Sequence, residues 1–176
     1  NAEPGIDLPA STSRFPEQLD AAQLGQSSIG QYEVAASPLQ MLMVASAIAN
    51  DGVLMKPHLV KSVTGSDLKV IQTVQPEQMS RPIGEGTAKQ LRQMMENVVS
   101  DGTGSPADIS GLTVGGKTGT AQSDPNRPPY AWFVGYASEP HVAVVAFVQS
   151  TAVSRDDISG GKVAAPIFKA VVEAVK

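Results

Sequence analysis

The most informative segment of the chain reads Gly115-Gly116-Lys117-Thr118-Gly119-Thr120-Ala121-Gln122. Counted from Gly111, its first part fits the phosphate-binding pattern G-x4-G-K-[ST], which is typical of nucleotide hydrolases. Counted from Lys117, the same segment carries Lys-Thr-Gly, a motif of acyl-transfer enzymes that use a serine nucleophile. The two interpretations require different backbone structures on either side of the lysine, so the neighbouring sequence can distinguish them.

The neighbouring sequence argues against a phosphate-binding loop. Such a loop needs a buried strand before its first glycine and a helix that begins at the lysine, because the N–H groups at the helix start bind the phosphates. Residues 102–110 are instead polar and interrupted by Gly and Pro. After the lysine, Gly119 disfavours a helix, and the prolines within residues 125–129 forbid a continuous one.

The segment has the composition of an extended strand. Residues 112–122 are largely small or β-branched, with glycines where another backbone or a ligand can approach closely. Because alternate side chains share a face of a strand, we expect Lys117 to point away from Thr118 and Thr120 unless a bulge turns it inward. Gly119 would leave a gap at which a substrate backbone could pair with the strand. An ordinary edge strand with a solvated lysine would show the same local pattern.

Composition restricts the possible functions. With 176 residues, of which 41% are hydrophobic, the chain has the length of one domain with a substantial core. A net charge of −4 with scattered Lys and Arg argues against nucleic-acid binding. The absence of cysteine excludes thiol catalysis, disulfides and cysteine-ligated metals. His58 and His141 have no clustered partner residues, so we expect neither a metal nor a cofactor.

The longest apolar run, residues 142–148, is too short to cross a bilayer. The chain begins at Asn1 without an initiator methionine or a signal peptide. We therefore expect it to be a processed, truncated or excised piece of a longer protein.

Hydrophobic periodicity and turn residues predict an α/β fold of the α+β type, an antiparallel sheet flanked by helices. Residues 1–36 are expected to be irregular. The predicted elements that follow are a buried helix over 39–49 capped by Ser37, strands over 53–64 and 68–74, a helix capped by Thr87 that ends at Asp101, a strand over 112–122, a hairpin of 131–137 and 142–149, and a final helix from Gly161 that buries Ile167, Phe168, Val171, Val172 and Val175.

Eight segments share an order and spacing along the chain. They are Ser28-Ile-Gly-Gln31, Ser37-Pro-Leu-Gln-Met41, Ile48-Ala-Asn-Asp-Gly52, Lys56-Pro-His-Leu-Val60, Met95-Glu-Asn-Val-Val99, Gly115-Gly-Lys-Thr-Gly-Thr-Ala-Gln122, Trp132-Phe-Val-Gly-Tyr136 and Ala164-Ala-Pro-Ile-Phe168. As a set they resemble the transpeptidase domain of class B penicillin-binding proteins, in the serine β-lactamase and penicillin-recognising superfamily. Within that family they are most similar to the actinobacterial penicillin-binding protein A type. The resemblance covers nearly the whole chain, and it implies the C-terminal part of that fold.

The resemblance implies a peptidoglycan D,D-transpeptidase that cross-links stem peptides through a serine acyl-enzyme and is covalently inhibited by β-lactams. Lys117 would supply positive charge and a proton relay. The hydroxyls of Thr118 and Thr120 would bind the terminal carboxylate of a D-Ala-D-Ala stem or of a β-lactam, and the N–H of Thr120 would be one oxyanion donor. Gly119 would keep the strand open to the acyl chain, and Gln122 would hydrogen-bond the ligand.

The resemblance also implies a location and partners. The implied location is the extracytoplasmic face of the bacterial cell membrane, in the periplasm or the cell-wall space. Membrane attachment would come only through an N-terminal anchor outside this chain. Cell-wall synthesis proteins would be further partners.

The family's motif set also contains S-x-x-K, which carries the nucleophile and its base, and S-x-N, both earlier in sequence than K-T-G. No Ser-x-Asn occurs in the chain. Ser66-Asp-Leu-Lys69 has the S-x-x-K spacing, but it falls in a predicted hairpin turn and follows the Ser37 helix, which in the family comes after the nucleophile. We therefore expect residues 1–176 to form a single piece of the domain. The nucleophile, its lysine and the second serine would lie upstream, on a separate chain or fragment.

Two functional hypotheses from different classes remain. In the first, the chain is the C-terminal part of a transpeptidase and shares one active site with the part that holds the nucleophile. In the second, it is a noncatalytic ligand-binding or assembly module that keeps the Lys117 strand. A β-lactamase or a D,D-carboxypeptidase of the same superfamily is a third option, because these enzymes differ from a transpeptidase in deacylation and not in this strand.

Overall fold

The computed structural model describes residues 3–122 and 126–176, and within them it contains four α-helices and seven strands. In chain order these are α1 (Ala21–Ser28), α2 (Pro38–Ala49), β1 (Leu54–Met55), β2 (Ser62–Thr64), β3 (Val70–Thr73), β4 (Gln78–Ser80), α3 (Glu85–Asp101), β5 (Val114–Ala121), β6 (Tyr130–Ala137), β7 (Val142–Val148) and α4 (Ala165–Ala174). Short 3₁₀ turns lie at Ser105–Ala107 and Arg155–Asp157, and a π-helical turn at Gly160–Ala164 leads directly into α4.

Strands β5, β6 and β7 form an antiparallel sheet with β6 in the centre. The register of β5 against β6 runs without a shift along the whole of β5. Within the part of the chain that the structure describes, no strand pairs with the outer side of β5 or of β7. One open edge therefore carries the Lys-Thr-Gly segment, and the other is an entirely apolar strand. The predicted antiparallel sheet flanked by helices is confirmed.

The core lies between this sheet and α4. Phe133 of β6 and Phe168 of α4 are fully buried, and their ring centroids are 4.7 Å apart. Val172, one helical turn after Phe168, is also fully buried. Helix α2 packs against β6 and β7, and α3 packs against β5 and α2. Aromatic burial of this size supplies much of the free energy of folding.

The start of α2 follows the sequence prediction. The Ser37 hydroxyl accepts a hydrogen bond from the N–H of Gln40 at 3.2 Å, and Pro38 occupies the first helical position. The prediction that this helix is buried is wrong for one side of it, because Val44 is 41% exposed. Met43 and its inward neighbours meet the sheet, while the opposite side of the helix faces outward in the described chain.

Two elements in the first half of the chain differ from the predictions. Helix α1 lies within the segment predicted to be irregular, and Asp20 and Gln23 form a capping box at its start. The strand predicted over 53–64 is interrupted, because Pro57 cannot donate a ladder hydrogen bond. Its first part, β1, pairs with the unpredicted strand β4, whereas β2 and β3 form the predicted hairpin.

The two later helices also refine the predictions. Helix α3 begins at Glu85 after Gly84, so the predicted cap at Thr87 is wrong, and the helix ends before Gly102 as expected. In α4, Phe168 is buried with Val172 as predicted. The predicted burial of Ile167, Val171 and Val175 is wrong. They are 46%, 42% and 52% exposed, respectively, because only one face of the helix meets the sheet. None of the described helices is long and apolar enough to span a bilayer.

Candidate active site

The predicted site residues Lys117, Thr118, Gly119 and Thr120 lie together in the second half of β5. Because the β5–β6 register has no bulge, side chains alternate strictly between the two faces of the sheet. Lys117 and Gly119 therefore lie on one face, and Thr118 and Thr120 lie on the other, as the sequence predicts. The exposed Lys117 side chain folds back along the strand, and its Nζ donates a hydrogen bond of 2.6 Å to the carbonyl of Thr118.

The two threonine hydroxyls are held by groups from other parts of the chain. The Oγ1 atom of Thr118 lies 2.8 Å from the Oγ1 atom of Thr103, in the loop after α3. The Oγ1 atom of Thr120 accepts a hydrogen bond of 3.3 Å from the N–H of Gly160, at the start of the final helical segment. The sheet face with the two hydroxyls is therefore bordered by the Thr103 loop and by this helix start.

Gly119 lies opposite Trp132 in the β5–β6 register. A Cβ atom placed on Gly119 would lie 3.2 Å from the Cβ of Trp132, so a larger residue would crowd the sheet at this point. Trp132 is half-buried, and its ring lies 4.3 Å from that of Phe147 on the neighbouring strand. Gln122, the last predicted site residue, is exposed directly after β5.

A network of polar side chains ties α2 and α3 to the beginning of β5. The phenol of Tyr136 donates a hydrogen bond of 2.9 Å to a carboxylate oxygen of Glu96, and its ring covers Gly115, two residues before Lys117. Burial of the ring and the hydrogen bond to Glu96 raise the pKa of Tyr136 well above its ordinary value. One turn earlier in α3, Arg92 pairs with Asp51 at 2.6 Å.

The described residues, 3–122 and 126–176, contain no group of three or more His, Asp or Glu side chains that could hold a metal ion. His58 and His141 both line a groove of about 880 Å³ between α2, α3, β1 and the β6–β7 turn. The chemistry available at β5 is therefore that of two hydroxyls, one ammonium group and the main chain of an edge strand.

Two serine-lysine pairs have the S-x-x-K spacing, and neither has the arrangement of a nucleophile and its base. Ser66 is exposed in the β2–β3 turn as predicted, and Lys69 pairs with Asp67 at 3.1 Å. The sequence prediction did not consider the second pair, Ser159 and Lys162. The Ser159 hydroxyl caps the final helix by accepting from the main-chain N–H of Lys162, while the ammonium group of Lys162 lies 2.8 Å from Asp157.

Sequence reasoning missed Thr103 and Gly160. Thr103 precedes Thr118 by 15 residues, and its role depends on how the loop after α3 folds back onto the sheet. A signal for Gly160 was available, because two successive glycines stand directly before the final helix. Such a pair indicates that another backbone approaches closely.

Comparisons with known proteins place the chain in a protein family. Residues 2–173 match the family model described as the penicillin binding protein transpeptidase domain. The chain is 42% identical to the peptidoglycan D,D-transpeptidase PbpA of Mycolicibacterium smegmatis, over 97% of this chain and 35% of the relative. It is 40% identical to the PbpA of Mycobacterium tuberculosis, over 88% of this chain and 32% of the relative. The chain therefore spans about a third of the length of these curated relatives.

Solved structures of penicillin-binding proteins are also similar to this chain. The fold superimposes with a TM-score of 0.82 on penicillin-binding protein A of M. tuberculosis in its imipenem acyl-enzyme complex, at 34% identity, covering 98% of this chain and 40% of the other. It superimposes with a TM-score of 0.80 on penicillin-binding protein 3 of the same organism complexed with aztreonam, at 28% identity, covering 98% of this chain and 42% of the other.

Proposed function

Because this chain belongs to the penicillin-binding protein transpeptidase domain family, we propose that it forms one wall of the acyl-transfer site of a peptidoglycan D,D-transpeptidase. The observation that carries the proposal is the arrangement on β5. Two hydroxyls with fixed hydrogen-bond partners and one lysine lie in the second half of an edge strand, and in the described parts of the chain no strand pairs with its outer side. An extended peptide can add to such an edge through main-chain hydrogen bonds.

The hydroxyls of Thr118 and Thr120 are proposed to bind the terminal carboxylate of a D-Ala-D-Ala stem peptide or of a β-lactam. A hydroxyl can donate one hydrogen bond while it accepts others, which suits a ligand group that only accepts. Lys117 adds positive charge beside the main chain of β5, and its ammonium group can exchange its hydrogen bond to the Thr118 carbonyl for one to the ligand or to a catalytic serine. Gln122 is proposed to contact the ligand beyond Thr120.

The main chain of β5 is proposed to supply one oxyanion donor. In an antiparallel edge strand, alternate residues direct both main-chain groups away from the neighbouring strand. The carbonyl of Thr118 already accepts a hydrogen bond from the Lys117 side chain, so we assign Thr118 and Thr120 to the outward set. The N–H of Thr120 then faces the open side, where it can stabilise the charge that develops on the scissile carbonyl. Gly119 keeps this part of the strand free of a side chain.

The nucleophile is proposed to lie in a preceding part of the protein that carries S-x-x-K and S-x-N. Ser66 and Ser159 do not have the arrangement of a nucleophile and its base, since Lys69 and Lys162 pair with aspartates and the Ser159 hydroxyl accepts from a main-chain N–H. Residues 1–176 would then be one piece of a domain whose remainder places the nucleophile beside the outer side of β5. A cell-wall enzyme of this kind would act on the extracytoplasmic face of the membrane.

Covalent labelling tests the proposal. The 176-residue chain and the natural gene product are each incubated with a labelled penicillin, and the modified peptide is identified by mass spectrometry. We expect an adduct on a serine outside residues 1–176 and no adduct on the 176-residue chain alone. Labelling of Ser66 or Ser159 would overturn the assignment of the nucleophile, and no labelling of either protein would favour a noncatalytic binding module. Steady turnover of the adduct to hydrolysed penicillin would indicate a β-lactamase. Conversion of a D-alanyl-D-alanine stem peptide to the shortened free acid, without transfer to an acceptor amine, would indicate a carboxypeptidase.

A further inference from the structure

The final helical segment begins in direct contact with β5. Gly160 is buried, and a Cβ atom placed on it would lie 2.3 Å from the carbonyl oxygen of Trp132 and 2.7 Å from the main-chain nitrogen of Gly119. Gly119 and Trp132 are partners in the β5–β6 register, so the obstacle is the paired backbone of the sheet and cannot move aside. Only glycine can bring the helix start this close to Thr120.

The close approach supplies a partner for an otherwise unsatisfied donor. The first N–H groups of a helix have no partner within the helix. Here the Ser159 hydroxyl accepts from the N–H of Lys162, and the Thr120 hydroxyl accepts from the N–H of Gly160. The second of these bonds connects the helix to the strand that carries the candidate site.

The direction of this hydrogen bond determines what Thr120 can offer a ligand. A main-chain N–H can only donate, so the Thr120 oxygen must be the acceptor. The single hydroxyl proton of Thr120 then remains available to donate. A hydroxyl that accepts one hydrogen bond is polarised toward donating another. Without the Gly160 donor, the hydroxyl could rotate and present a lone pair, which would repel a carboxylate.

We propose that Gly160 is a positioning residue for Thr120: its N–H fixes the Thr120 hydroxyl as a donor and so makes this side of the site selective for ligands that end in a carboxylate. The inference rests on the proposed function, because it concerns the recognition of the substrate's terminal carboxylate. It goes further by assigning selectivity to a main-chain group of the final helix, 40 residues from Thr120 in sequence.

The sharpest test replaces the Gly160 amide with an ester in the otherwise unchanged chain. This exchange removes the N–H without adding a side chain, whereas a Gly160→Ala variant would place a Cβ against the sheet backbone. An amide-to-ester exchange at Lys162 is the matched control, because it removes another helix-start donor whose acceptor is Ser159. The readout is the ratio of affinities for N-acetyl-D-alanyl-D-alanine and its C-terminal amide.

We expect the ester at Gly160 to lower this ratio about 3- to 10-fold, since the Thr120 hydroxyl would keep its proton and lose only its orientation. The ester at Lys162 should leave the ratio unchanged. An unchanged ratio at Gly160, or equal changes in both esters, would overturn the inference. If the unmodified chain does not distinguish the two ligands, the proposed carboxylate site fails, and the positioning role fails with it.

A second measurement needs no ligand. Hydrogen exchange of the Gly160 amide should become faster in Thr120→Val, which keeps the shape of the side chain but removes the acceptor, and should return toward the original rate in Thr120→Ser. Equal exchange rates in all three proteins would show that the hydrogen bond does not exist in solution, and would overturn the inference whatever the ligand data show.

Discussion

The hydroxyl oxygens of Thr103 and Thr118 lie 2.8 Å apart, although Thr103 belongs to the loop after α3 and Thr118 to β5. Either oxygen can be the donor in this pair. If Thr118 is to donate to a carboxylate, Thr103 must donate to Thr118, because each hydroxyl has one proton. The loop after α3 would then act on the ligand through Thr118.

Replacement of Thr103 tests this relationship. Thr103→Val keeps the side-chain shape but removes the hydroxyl, and we expect it to weaken binding of a carboxylate-bearing β-lactam about 3- to 10-fold, from the loss of one orienting hydrogen bond. Thr103→Ser retains the hydroxyl and should bind within about twofold of the original chain. The measurement is equilibrium binding at constant ionic strength. Equal losses in both variants would indicate that the methyl group matters and not the hydroxyl.

Lys117→Met should slow acylation of the natural gene product by a labelled penicillin about 100- to 1,000-fold, the range found when a group that stabilises transition-state charge is removed. The matched control is Lys89→Met on the exposed side of α3, which should leave the rate unchanged. Stopped-flow labelling gives the acylation rate constant. If the acylation rate constant of Lys117→Met lies within a factor of about three of the original, Lys117 takes no part in acylation.

Phe168→Ala should lower the free energy of unfolding by about 3–5 kcal/mol, because it removes a fully buried aromatic ring and leaves a cavity beside Phe133. Val171→Ala on the same helix is the control. Its side chain is 42% exposed, so its effect should stay within about 0.5 kcal/mol. Urea unfolding followed by circular dichroism measures both. Similar losses in the two variants would contradict the assigned orientation of α4.

Tyr136 should make the stability of the fold depend on pH in the alkaline range. Its pKa is raised in the folded chain, so above about pH 10 the unfolded state loses the phenol proton first. Unfolding is then favoured as pH rises. The contribution of Tyr136 to the free energy of unfolding is complete below about pH 10 and decreases as the pH rises above that value. Unfolding free energies between pH 8 and about 11 should therefore decline more steeply for the original chain than for Tyr136→Phe. The control is Tyr32→Phe, which changes an exposed tyrosine. Its unfolding free energy should depend on pH in the same way as that of the original chain.

The sequence predicts those helix starts and turns that are determined by neighbouring residues. The serine cap and proline before α2 set the start of that helix, and the turn between β2 and β3 is correctly placed. The Asp20 capping box is an equally local signal, but the surrounding prolines favour the prediction of an irregular segment there. Burial is less predictable from one helix at a time, since Val44 and Val171 are apolar residues whose exposure depends on which face meets the sheet.

The residues of the candidate site also differ in how far the sequence predicts them. Lys117 and its neighbours are contiguous and carry a recognisable motif, so the sequence indicates them directly. The partners of their hydroxyls, Thr103 and Gly160, become neighbours only when the loop after α3 and the final helix fold onto β5. No spacing rule within the strand could indicate them.

The open side of β7 has a practical consequence for the 176-residue chain in solution. Its seven residues are all apolar, and within the described parts of the chain no strand covers their outer main-chain groups. A long apolar edge of this kind is a template for intermolecular strand addition. The isolated chain should therefore self-associate as its concentration rises, and light scattering over a range of concentrations measures this. Solubility of this piece would then depend on a strand edge at the side of the sheet opposite to the ligand.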